Sequence, residues 1–251
     1  MKTTSSKILI TSIIVSAVML IQISPAMAVS EKPLNIGTTS TACTRIATLK
    51  TSNEAELTTQ IITMQTNFAA RIAKITSDKT ATDQKVATAR LNAKNQFETK
   101  VTAMLSQPGL TQVQTQAINT YKINMEQAET TRQTAIDSAR TQYRTSLMNT
   151  ITTQQQTLTN AINTYQTAVR SAFAIATTNC GDGTALTTLK TSIKTARQTL
   201  TTARTATKTT NEVKQYATTR NDATQAANKI FTDSVATYTT TLTSALKSTT
   251  N

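Results

Sequence analysis

The sequence predicts an all-α protein: an elongated antiparallel three-helix bundle, coiled-coil-like with an 11-residue periodicity. Three observations lead there. Beyond residue 28, Pro and Gly occur only in three short stretches, "EKPLNIG", "SQPGL" and "NCGDG". The intervening segments are of nearly equal length, and equal helices joined by short turns fold back on one another. The tyrosines recur at a fixed step: Tyr121, Tyr143 and Tyr165 are 22 residues apart, as are Tyr216 and Tyr238.

The chain opens with a basic start (Lys2, Lys7), an apolar run from Ile8 to Ile23, and "SPAMA" ending at Ala28. This is the pattern of a secretory signal peptide, with Ala26 and Ala28 as the small residues of the cleavage site. The expectation is therefore an exported protein, periplasmic, cell-surface or extracellular. Residues 1–28 form the leader, 29–40 a linker and 41–251 one helical bundle.

The first helix is expected over 41–105. Its polar stretch "TSDKTATDQ" raises the question of a break near residues 76–84, which would give four helices. Ile75 and Val86 flank that stretch 11 residues apart, three helical turns, so the apolar face resumes in phase and a continuous helix is favoured. The second helix, 111–178, follows a turn at Pro108 and Gly109. Thr111 and Gln114 have capping-box spacing at its start. The third, 185–247, follows a turn at Gly181 and Gly183, with Thr184 as its expected N-cap. At about 1.5 Å per residue each helix is on the order of 100 Å long.

The tyrosine step is two 11-residue units, with Ala128, Ala139, Leu147, Leu158, Val169 and Ala176 at compatible positions. Such a period gives a nearly straight or gently right-handed coil. The tyrosines are accordingly expected at the seams between helices, with packed rings and hydroxyls at the edge, rather than as an exposed ladder for stacking on sugars or bases.

Cys43 and Cys180 are the only cysteines. An antiparallel bundle places both at one end, and an oxidising compartment would join them as a disulfide.

Composition excludes several chemistries. His is absent, which removes histidine acid–base catalysis, Ser-His-Asp and Cys-His arrangements and ordinary zinc sites. The carboxylate pairs Glu54/Glu56, Glu126/Glu129 and Asp78/Asp83 read as solvated helix faces with ordinary pKa values. No catalytic, metal or cofactor site is predicted, and no small-molecule substrate. The formal net charge is +13. Loss of Lys2 and Lys7 with the leader reduces it to about +11, a balance that favours anionic partners.

The strongest charge feature is Lys190, Lys194, Arg197, Arg204 and Lys208, beside the apolar row Leu186, Leu189, Ile193 and Leu200. No acidic residue lies between Asp182 and Glu212. This stripe is the candidate contact with an anionic polymer or membrane surface. Nothing adds sequence-specific nucleic-acid reading, because no aromatic cluster or recognised docking motif accompanies it. The expected function is a non-enzymatic structural, spacer or surface-binding role in the cell envelope or extracellular space, with weak electrostatic attachment. The alternatives are a periplasmic chaperone-like or polymer-binding module, and association of identical chains to cover apolar faces.

Overall fold

The computed structural model describes residues 39–207 and 210–247, and they fold into helices and short turns only. Helix α1 spans Thr39–Leu105, α2 Gln112–Thr178, α3 Ala185–Ala206 and α4 Thr210–Lys247. The expected linker over 29–40 and the leader lie almost wholly outside the described residues.

Helix α1 runs unbroken through the polar stretch at 76–84. Ile75 and Val86 are both half-buried, so the apolar face does resume in phase. Threonine is a mediocre helix former, yet these helices are threonine-rich. Their hydroxyls adapt by donating to the carbonyl four residues back, as in Thr58 to Glu54 at 2.9 Å and Thr130 to Glu126 at 2.8 Å. The surface thus presents threonine methyls and hydroxyl lone pairs more than free O–H donors.

The turns follow their residues. Gly109 adopts φ +84°, a conformation that side-chain-bearing residues rarely take, and directs the chain from α1 into α2. Thr111 and Gln114 form the expected capping box: Thr111 Oγ1 accepts from Gln114 N at 3.3 Å, and Gln114 Oε1 accepts from Thr111 N at 3.0 Å. Gln114 Nε2 also donates to the Leu246 carbonyl at 3.1 Å, which ties this cap to the end of α4. The expected cap at Thr184 is not formed. Its backbone is helical and its side chain makes no capping bond. Asp182 takes that part instead, its Oδ1 accepting from Thr184 N at 3.0 Å in a local Asx turn.

The third segment also differs from the expected single helix, since α3 and α4 are separate pieces. The reason lies in the phase of their inward residues. In α3 these are Ala185, Leu189, Ile193, Ala196, Leu200, Arg204 and Thr207, and in α4 Val213, Tyr216, Arg220, Thr224, Ala227, Phe231, Val235, Tyr238 and Leu242. Both series step by 3, 4 and 4 residues, but the second is displaced by about two residues, roughly 200° of helix rotation. One continuous helix would turn one of the two stripes toward water. At the joint, Thr207 Oγ1 bonds the Arg204 carbonyl at 2.9 Å, and the Thr207 carbonyl accepts from Gln154 Nε2 of α2 at 2.8 Å.

Helix α2 is central. It makes the close backbone approaches to α1, α3 and α4, antiparallel to α1 and to the α3–α4 leg. The disulfide Cys43–Cys180 forms as expected and closes one end.

The core is unevenly distributed. Toward the disulfide, α1 buries Ile46, Leu57, Met64 and Phe68, α2 buries Ile151, Leu158, Ile162, Tyr165, Val169 and Phe173, and α3 buries Leu189 and Ile193. At the other end Val101, Ile118 and Leu242 form a smaller cluster backed by Phe97, Met104, Leu110 and Tyr121. Between these two regions the buried apolar residues are Ala139 and Ala227. The middle of the bundle must be held by something other than large apolar side chains.

Candidate functional site

Helix α3 carries most of the predicted basic stripe, and packing divides its members. Lys194 is exposed, whereas Lys190, Arg197 and Arg204 are half-buried beside the core row. Lys208 lies outside the described residues. Arg197 reaches back to α2 and donates to the hydroxyl of Tyr165. Burial nevertheless holds the Tyr165 phenol above its ordinary value, with the positive charge of Arg197 acting against that shift. The stripe is therefore part seam and part surface, with long stems covering the core edge.

Its lysines differ from others in the chain in one respect. Lys74, Lys79, Lys94, Lys122 and Lys229 each pair with a carboxylate four residues on: Asp78, Asp83, Glu98, Glu126 and Asp233. Position i+4 from Lys190 is Lys194, and from Lys194 it is Gln198. The charge of this face is left uncompensated along its own helix.

The tyrosines lie at the seams. Tyr165 is buried and the other four are half-buried. Tyr121 packs against Phe97 with ring centroids 6.2 Å apart, Tyr143 lies under the Arg220 guanidinium at 4.7 Å, and Tyr216 meets Thr150 Oγ1 at 3.3 Å.

The middle of the bundle holds a second concentration of charge that the sequence reading missed. Arg90 of α1 donates to both oxygens of Asp137 on α2, at 2.7 and 2.8 Å. Arg144 of α2 donates to both oxygens of Asp83 on α1, at 2.6 and 3.2 Å. Lys79 adds a second contact to Asp83 at 3.1 Å. Toward α4, Arg132 lies over the Phe231 ring at 4.2 Å and donates to Glu129 at 2.7 Å. Buried atoms here include Arg71 Nε, Arg132 Nε and Glu129 Oε2, none with a hydrogen-bond partner.

Two of the carboxylate readings are corrected by this geometry. Asp83 is not an ordinary solvated acid: hydrogen bonding by Arg144 draws its pKa below the usual value, as Arg90 does for Asp137. Glu129 is half-buried rather than on an open face. A usable signal was present in the sequence. The inward positions of α2 recur every eleven residues as Ile118, Glu129, Arg140, Ile151, Ile162 and Phe173, and those of α1 as Ile46, Leu57, Phe68, Lys79, Arg90 and Val101. Ionic residues interrupt both apolar series at the same level.

No group of His, Cys, Asp and Glu suited to a metal ion occurs among the described residues, and none of their helices is long and apolar enough to cross a membrane. No protein-family model, curated protein or solved structure matches the chain.

Proposed function

We infer that the chain is an exported, non-enzymatic helical rod that attaches electrostatically to an anionic polymer or surface through the basic face of α3. The observation that carries this reading is the missing i+4 carboxylate at Lys190 and Lys194, in a chain whose other lysines so often have one. Lys190 and Arg204 are separated by about 21 Å of helix, a length over which a flexible polyanion can meet several cations at once. Near this face, the disulfide and the larger apolar core hold α3 on α2. The α1–α2 middle, by contrast, offers no comparable surface, because its arginines are engaged by aspartates.

The test is a binding panel of anionic vesicles, nucleic acid, acidic glycans and unfolded apolar clients, each titrated with salt. Changing Lys190, Lys194, Arg197, Arg204 and Lys208 to Gln should lower affinity for the anionic members far more than removing an equal number of α1 lysines. Equal losses would reduce the stripe to bulk charge. Binding confined to unfolded clients and persisting at high salt would replace this reading with a chaperone-like one.

A further inference from the structure

Arg140 occupies a place that packing reserves for an apolar residue. Its neighbours in the eleven-residue series of α2, Ile118, Ile151, Ile162 and Phe173, are at most 4% exposed. The Arg140 side chain is itself only 20% exposed. A guanidinium offers five N–H donors and no acceptor. Among the described residues none of these donors has a hydrogen-bond acceptor. The nearest carboxylate oxygen, Asp137 Oδ1, is 3.7 Å away and already accepts from Arg90 at 2.8 Å.

The surroundings add charge of the same sign. Arg144 stands one turn further along α2, with its fork taken up by Asp83, and Arg90 faces from α1, with its fork taken up by Asp137. Three guanidinium groups thus share two carboxylates, and both carboxylates are engaged by the outer two. Burial, followed by the charge of Arg144, lowers the Arg140 pKa from its ordinary value. A partly desolvated cation without a partner is costly, and an unpaired group of this kind in a folded protein calls for a water or an ion.

We propose that Arg140, flanked by Arg144 and Arg90, is a binding site for a small oxyanion of the sulfate or phosphate type in the middle of the bundle. Arg140 supplies the planar donor fork that matches two oxygens of such an ion. Arg144 and Arg90 supply charge while Asp83 and Asp137 hold their forks in place. Those aspartates also oppose the ligand, which sets the expected affinity in a weak range, on the order of millimolar. Chloride offers no pair of oxygens for the fork and should bind more weakly.

The experiment uses the full chain and three proteins: wild type, Arg140→Leu, which continues the apolar series, and Lys85→Gln, an equal charge loss at an exposed position of α1. Melting is followed at constant ionic strength as chloride is replaced by inorganic sulfate or, separately, phosphate. Sulfate stabilises proteins generally, so the comparison between variants carries the result. The expected outcome is a saturable rise in melting temperature for wild type and Lys85→Gln, with at least a tenfold weaker dependence in Arg140→Leu. In chloride alone Arg140→Leu should melt at or above wild type. Calorimetric titration of sulfate should show one saturable site in wild type and none in Arg140→Leu. An equal response in all three proteins, or no saturable heat, would overturn the site. So would an Arg140→Leu protein that melts well below wild type in chloride, since Arg140 would then already be satisfied by the fold.

Discussion

Arg90 and Asp137 form a two-point ion pair across the seam between α1 and α2, with both N–O distances below 3 Å. Seven residues earlier on α1 stands Asp83, and seven residues later on α2 stands Arg144, which form a second such pair. Each helix therefore carries Asp and then Arg at the same spacing. Antiparallel packing brings every Asp to the other helix's Arg, whereas a parallel arrangement would oppose Asp to Asp. The pairs encode direction and register where the apolar core is thinnest.

Removing one acid should be felt locally. Asp137→Asn or Asp83→Asn is expected to cost about 1 kcal/mol, the upper part of the range for half-exposed ion pairs. A double-mutant cycle with Arg90→Gln should return a coupling energy of similar size for Asp137 and near zero for Asp83. The same carboxylates set an acid limit. Their folded pKa values lie below the unfolded ones, so their contribution is fully present above the ordinary carboxylate range near pH 4 and is lost as pH falls through the depressed folded values. Hydrogen exchange should show the middle of α1 opening first in acid.

The disulfide should matter for the whole rod. Cys43 and Cys180 are 137 residues apart, and closing so long a loop contributes about 5 kcal/mol in the chain-entropy model. Cys43→Ser with Cys180→Ser is expected to lower the melting temperature sharply. A reductant should do the same to wild type and nothing to the double variant.

Gln154 serves the joint between α3 and α4. It donates to the Thr207 carbonyl and accepts from Arg71 Nη1 at 3.4 Å. Gln154→Leu leaves that helix-end carbonyl without its donor, and a cost of about 1 kcal/mol is expected. The readout is faster amide exchange in the last turn of α3, with the disulfide end unchanged.

Tyr165 should ionise last among the tyrosines. Burial raises its pKa above 10.0, so its contribution to stability is complete below the unfolded value and is lost as pH rises through the folded one. Ultraviolet titration of the phenolate should show a late step that disappears in Tyr165→Phe.

The helices, the first two turns, the capping box and the disulfide were legible because each depends on residues close together or on gross topology. The α3–α4 joint was equally legible and was missed. The phase comparison that favours a continuous α1 across Ile75 and Val86 gives the opposite result between Thr207 and Val213. Thr184 misled because it has the right residue type and position, while Asp182, two residues earlier, already satisfies its N–H.

By itself the sequence determined an all-helical chain of three long legs, a period of eleven residues and a closed end at Cys43 and Cys180. Only the tertiary structure decided that the middle is ionic, that Arg197 turns inward to Tyr165 while Lys194 stays in water, and that Arg140 lies inside with no acceptor. The physical reason is register. Pairing between helices depends on which residues of separate segments arrive at one level, and a shift of two positions would part every Arg from its Asp. Local pattern fixes the stripe each helix turns inward, but the partner of each side chain is set only when the stripes meet.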